Sequence, residues 1–186
     1  CGHICFDSSI YIQIFVISMI KDKTSLLVKL SNKNNFKISV AESCTGGLLS
    51  SSIIEQSGAS NFFNSGFVTY SNAAKINNLN VNKKLIDTYG AVSKETSLAM
   101  AKGVYNITKS NLIVSITGVA GPNGGTKINP IGTVYFTFGI KEMNKNIIYN
   151  TNKMKFNLES RIKIQKKSVN YVLNQFIKII ETYKFD

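Results

Sequence analysis

The residues best equipped for covalent chemistry lie together in the stretch Ala41-Glu42-Ser43-Cys44-Thr45-Gly46-Gly47, where two hydroxyls and a thiol sit beside two glycines. Hydroxyls and thiols become nucleophiles when a neighbouring base takes their proton. The single histidine of the chain is His3, and the other cysteines, Cys1 and Cys5, are far from Cys44 in sequence. A Ser-His-Asp or Cys-His arrangement therefore has no base here, and a histidine-rich zinc site has no ligand set. Acyl chemistry at this turn needs a lysine or a tyrosine to accept the proton.

The elements around the turn give it a shape. A β-branched run, Lys37–Ala41, reads as a strand, and Gly46–Gln56 reads as a helix that opens on two glycines. At such a helix start, free N–H groups and the positive end of the helix dipole can hold a phosphate or stabilise an oxyanion. The same residues also suit a simpler role, with Ser43 or Thr45 capping the helix.

Three further polar clusters stand at predicted strand ends or in loops. In Phe67-Val68-Thr69-Tyr70-Ser71-Asn72-Ala73-Ala74-Lys75 a strand, Gly66–Tyr70, ends in a tyrosine, and a lysine follows five residues later on the short helix Asn72–Leu79. Leu112–Thr117 reads as a buried strand that delivers Thr117 into a glycine-rich loop, 118–130, containing Gly118, Gly121 and Gly124. No Lys-Ser/Thr pair follows those glycines, so the loop is not a Walker A motif. Arg161, the sole arginine, opens a terminal helix read over Leu158–Tyr183, with Ile162, Val169, Leu173, Phe176 and Ile180 on one side.

The remaining pattern completes a fold class. Lys21–Leu30 and Asn82–Tyr89 read as helices, the latter ended by Gly90, and Ser93 caps a helix running to Tyr105. Gly132–Ile140 alternates like a strand and pairs as a hairpin with Asn146–Phe156. Strands alternating with helices, plus a hairpin, predict one three-layer α/β/α domain with a mixed sheet. Residues 1–18 read as an N-terminal extension of little functional content, and residues 19–186 as the domain.

Composition narrows the partners. Net charge is +12, yet 21 of the 22 basic residues are lysine, scattered along the chain and matched by equally abundant asparagine. That is the mark of codon bias, and it argues against nucleic acid, whose grooves favour arginine. The apolar run Ile10–Ile20 is too short to span a bilayer. Three irregularly spaced cysteines give no disulfide framework, so a cytoplasmic protein is expected. No metal and no cofactor is expected either, and the oligomeric state, a homo-oligomer included, is left open.

Taken together, the clusters AESCTGG at 41–47, GFVTYSNAAK at 66–75, GAVS at 90–93, TGVAGPNGG at 117–125 and PIGTV at 130–134 resemble, in order, the nicotinamide-nucleotide amidases, a family also known as the CinA carboxy-terminal domain, in its stand-alone form. The resemblance implies hydrolysis of the carboxamide of nicotinamide mononucleotide to nicotinate mononucleotide and ammonia, a step of pyridine-nucleotide recycling. It places the nucleophile on Ser43, the base on Lys75 and a conserved tyrosine on Tyr70. It also implies substrate contacts from Thr117 and Arg161. Physical chemistry adds Thr45, Gly46 and Gly47 as amide donors, and Gly118, Gly121 and Gly124 as the lining of a phosphate loop. Lys75 must then be neutral, with a pKa below its free value of roughly 10.4, and Tyr70 either relays the proton or orients the lysine. Cys44 competes with Ser43, because a thiol at a helix N-terminus ionises readily; the lysine base and the resemblance favour Ser43.

Two positions depart from the family's pattern. Glu159-Ser160 precede Arg161 in place of Gly-Asp, and Gln165 stands where a second arginine is common. Two other functions remain open: a catalytically weak nucleotide-binding domain, and a basic competence- or DNA-associated protein.

Overall fold

A computed structural model describes residues 8–157 and 160–185 of the chain. His3, Cys1, Cys5, Leu158 and Glu159 lie outside the described residues. The first helix, α1, runs over Ser8–Ser31 and so crosses the predicted start near Lys21; its buried side chains include Ile20, Thr24 and Leu27. Strand β1 (Ile38–Glu42) leads into helix α2 (Leu48–Ile54), and a short 3-10 turn precedes strand β2 (Phe63–Val68). Helices α3 (Asn72–Leu79), α4 (Lys83–Tyr89) and α5 (Lys94–Thr108) then lead to β3 (Leu112–Gly118). The hairpin β4 (Thr133–Ile140) and β5 (Ile148–Lys155) and the helix α6 (Arg161–Thr182) complete the domain.

Caps account for the clean helix ends. Ser71, Asn82 and Ser93 each accept a backbone N–H of the first turn of α3, α4 and α5 with their side chains. Gly90 ends α4 with φ +82°, a conformation glycine adopts freely. Strand β2 begins earlier than predicted, because pairing of Phe63 with Ile38 recruits residues whose own alternation is weak.

The sheet order is β2-β1-β3-β4-β5. The β1–β2 and β1–β3 pairs are parallel and the two remaining pairs antiparallel, which makes the sheet mixed, as expected. One face carries large apolar side chains, among them Ile38, Val40, Val114, Ile116, Phe136 and Phe138, under α1, α2 and α6. On that side Val169, Leu173, Phe176 and Ile180 are buried as read from the periodicity, whereas Ile162 is exposed in the first turn of α6. The opposite face is small and hydroxyl-rich and packs against α3, α4 and α5 around Ala41, Ile113, Leu79, Ile86 and Met100.

A chain of buried hydroxyls stitches that second face together. Ser97 of α5 lies 3.0 Å from Ser115 Oγ and 2.8 Å from Thr137 Oγ1, which lies 2.8 Å from Thr151 Oγ1. Ser115 also donates to the Ser97 carbonyl at 2.6 Å. Three strands and a helix are thereby tied by groups whose partners are all internal.

The topology makes a crevice where ligands of open α/β sheets collect. After β1 the chain crosses one face to β2, then returns over the other face to β3, so the connections leaving β1 and β3 diverge at the carboxyl ends of these paired strands. Ser43 follows β1, Tyr70 lies two residues past β2, and Thr117 is the penultimate residue of β3.

Thr137→Val keeps the side chain's shape and strands two hydroxyl partners. It is expected to destabilise the domain by about 1–3 kcal/mol while leaving the crevice chemistry intact. Chemical denaturation of both proteins measures this, and equal midpoints and slopes would show that the chain of hydroxyls contributes nothing.

Candidate active site

The turn after β1 is held by an acid that the sequence reading passed over. Glu42 is fully buried at the end of β1, and its carboxylate accepts the N–H groups of Gly47 (3.1 Å), Leu49 (3.1 Å) and Ser50 (2.8 Å) and the hydroxyl of Ser50 (2.7 Å). The N-terminus of α2 is thus neutralised from within. Neither Ser43 nor Thr45 caps it; the N-cap position is Gly47, at φ +96° with no side-chain bond. An acidic residue closing an apolar strand just before a helix start was the available signal.

This corrects the expectation that Thr45, Gly46 and Gly47 all offer amides to a ligand. Gly46 N–H is spent on the Ser43 carbonyl at 3.2 Å and Gly47 N–H on Glu42. Thr45 N–H has no acceptor among the described residues. None of the three lines the crevice.

Ser43 and Lys75 are brought together as the spacing and the resemblance anticipate. Lys75 Nζ lies 3.0 Å from Ser43 Oγ, and it donates to the carbonyls of Thr69 (2.8 Å) and Tyr70 (3.2 Å). Lys75 is 1% exposed. Burial depresses its pKa below the ordinary 10.5, opposed in part by the nearby Cys44 thiol. A neutral amine has two N–H donors and one lone pair. As a neutral amine it meets the two carbonyls with its donors and turns its lone pair to the Ser43 hydroxyl, the arrangement a general base requires; as an ammonium it donates to all three.

Burial counts against Cys44 as the nucleophile. The thiol is 4% exposed, and burial pushes its pKa up to about 12. Desolvation outweighs its own backbone N–H, Arg161 and Lys75, which pull the other way. The helix end that was expected to ionise it is already neutralised by Glu42.

Tyr70 divides its duties differently from expectation. Its carbonyl orients Lys75, while its half-exposed ring and hydroxyl turn to Arg161. Arg161 donates from Nη2 to Tyr70 Oη at 3.2 Å and from Nη1 to the Gly121 carbonyl at 2.7 Å, with the guanidinium 5.9 Å above the Tyr70 ring. The hydroxyl contacts Arg161, not Lys75, so it does not sit in the proton path. Thr117 donates its hydroxyl to the Ala91 carbonyl at 2.7 Å and braces the 90–93 segment, whose Val92 carbonyl is held by Asn129 at 2.7 Å.

These elements enclose a cavity of about 300 Å³ lined by Ser43, Cys44, Tyr70, Lys75, Ala91, Val92, Thr117, Arg161 and the loop from Gly118 through Gly121 to Gly124. Among the described residues no carboxylate lines it. The buried Ser43 and Lys75 stand at its floor, and the exposed Arg161 guanidinium stands at its mouth. Among the described residues no group of three His, Cys, Asp or Glu side chains is placed to hold a metal. No helix among them is long and apolar enough to cross a membrane.

The comparisons with known proteins agree with this fold. A CinA-like protein of Colwellia psychrerythraea is 45% identical over 128 residues, covering 67% of this chain and 30% of its own length. The chain spans 24–36% of the length of the curated relatives it matches. Among solved structures, the competence/damage inducible protein CihA from Agrobacterium tumefaciens superposes with a TM-score of 0.80 at 33% identity, over 87% of this chain and 95% of that one. A CinA superfamily protein from Escherichia coli gives 0.76 at 30% identity, over 86% and 90%. The CinA C-terminal domain model matches residues 21–180, and the chain belongs to that family.

Proposed function

We propose that the chain hydrolyses the carboxamide of nicotinamide mononucleotide to nicotinate mononucleotide and ammonia, as a metal-independent Ser-Lys amidase of the cytoplasm. The observation that carries the reading is the buried Lys75 amine, 3.0 Å from Ser43 Oγ, with its remaining bonds donated to two carbonyls.

Ser43 Oγ attacks the carboxamide carbon and its proton passes to Lys75. The tetrahedral oxygen takes up the negative charge, for which the unpaired amide of Cys44, a residue lining the crevice, is the candidate donor. Collapse expels the amine, protonated by the Lys75 ammonium, and ammonia leaves an acyl ester on Ser43. Water then attacks that ester, again giving its proton to Lys75, and the carboxylate product departs. The substrate carries its phosphate away from the reacting amide. Arg161 at the mouth, the adjoining N-terminus of α6, whose Ser160 makes no side-chain cap, and the carboxylate-free loop suit an anion there.

Ammonia release from nicotinamide mononucleotide is the direct test. Tight binding of the mononucleotide without ammonia release would leave a nucleotide-binding domain, and salt-sensitive DNA binding without either would favour a competence-associated role.

Ser43→Ala is expected to abolish turnover in a folded protein, and Cys44→Ala to retain most of it. The opposite pattern would hand the nucleophile to the thiol.

Lys75→Gln is expected to cost at least about a hundredfold in kcat. In the wild type, kcat/KM should rise with pH along a limb whose midpoint lies below 10.5, the ordinary lysine value. The stability of the protein should follow the same proton. Folded Lys75 binds it less readily than unfolded Lys75, so stability rises with pH between the lowered pKa and 10.5, and Lys75→Met flattens that rise. An unchanged pH–rate limb in Lys75→Gln would remove lysine from the base role.

Arg161→Ala is expected to raise KM for the mononucleotide about tenfold or more while altering kcat little, as loss of a charge-assisted phosphate bond does. A drop in melting temperature with KM unmoved would make its bonds to Tyr70 and Gly121 purely structural.

A further inference from the structure

Each backbone carbonyl from Glu42 to Thr45 has a different partner. The Glu42 carbonyl accepts Thr69 N–H at 2.8 Å, Ser43 accepts Gly46 N–H at 3.2 Å and Thr45 accepts Leu48 N–H at 3.1 Å. The Cys44 carbonyl accepts instead from a side chain 121 residues away: Gln165 Nε2 of α6, at 2.8 Å. Gln165 is half-buried and lies one turn beyond Arg161.

That bond controls more than a carbonyl. A trans peptide is planar and points its C=O and N–H in opposite directions. Fixing the Cys44 oxygen therefore fixes the direction of Thr45 N–H. Among the described residues, the N–H groups of Cys44 and Thr45 are the amides of the turn with no protein acceptor, apart from the contact of Cys44 N–H with its own sulfur. Thr45 is 3% exposed, and its Oγ1 is likewise buried without a partner. Unpaired donors at such depth are costly unless something is meant to meet them.

We propose that Gln165 is a positioning residue: by holding the Cys44 carbonyl, it fixes the turn so that Ser43 Oγ stays against Lys75 and the free amide of Cys44, which lines the crevice, receives the oxygen of the tetrahedral intermediate. The inference rests on the amidase reading. In it, α6 serves both ends of the reaction, with Arg161 at the mouth and Gln165 behind the nucleophile.

The test compares the full-length chain with Gln165→Glu, which keeps the shape and loses the donor, Gln165→Met, which loses all polarity, and Gln165→Arg, which keeps a donor. Two rates are read: ammonia release from nicotinamide mononucleotide, and covalent labelling of Ser43 by a fluorophosphonate. In labelling, the Ser43 O–P bond forms, P–F breaks, fluoride leaves and the serine proton goes to Lys75. The phosphoryl oxygen draws on the same amide.

Gln165→Glu and Gln165→Met are expected to lose about ten- to hundredfold in kcat and in labelling rate. Their KM, melting temperature and pH–rate midpoint should stay near wild type, and Gln165→Arg should recover most of both rates. Wild-type rates in Glu and Met variants would overturn the proposal. So would losses that follow melting temperature and are not restored by Arg. If the wild type labels but releases no ammonia, the substrate reading fails while the labelling rates still decide the role of Gln165. A wild type that does neither overturns both.

Discussion

The carboxylate of Glu42 is the constraint on which the site depends. It sits at the end of a strand buried on both faces, where an unpaired charge is very costly, and it is satisfied by four donors from the start of α2. Those bonds make the strand, the turn and the helix one rigid joint. They also consume the amides that would otherwise make this helix end a general anion site. Ser43 is consequently presented by a turn with its own charge already balanced, and the chemistry is left to the few donors that remain.

The base is made by a complementary device. Lysine is ordinarily a solvated cation; here it is drawn inward on a two-turn helix whose start is capped by Ser71, so that its amine reaches the end of β2 and the serine at once. Two carbonyls meet its hydrogens, and among the described residues no carboxylate lines the cavity around it to favour its charged form. The same lining suits an anion beside Arg161. In the proposed reaction one feature of the crevice wall would thus serve both proton transfer and recognition.

Much of this was legible in the chain, and the parts that were not share a cause. Ser93 capping α5, Gly90 ending α4, the apolar run of β3 and the alternation of β4 are local signals, and the elements follow them. The pairing of Ser43 with Lys75 was reached through the resemblance that five separated motifs carry. What escaped depends on contacts between segments. Burial makes Cys44 harder to ionise although its place beside a helix start argued the reverse. Tyr70 Oη goes to Arg161, 91 residues on, instead of to the lysine five residues on. The Glu42 cap spans only eight residues, yet it becomes visible only when the turn is known to fold back over the strand end.

Strand β2 is an edge strand, paired on one side only. The carbonyls that restrain Lys75 come from Thr69 and Tyr70, just past its last paired residue, Val68. Margins of sheets open more readily than their centres. When this margin frays, water reaches the amine and removes the burial that lowers its pKa, while the hydroxyl-stitched interior remains intact. The setting of Lys75 is therefore expected to be more fragile than the fold that carries it, with heat or mild denaturant rehydrating one nitrogen before it unfolds the chain.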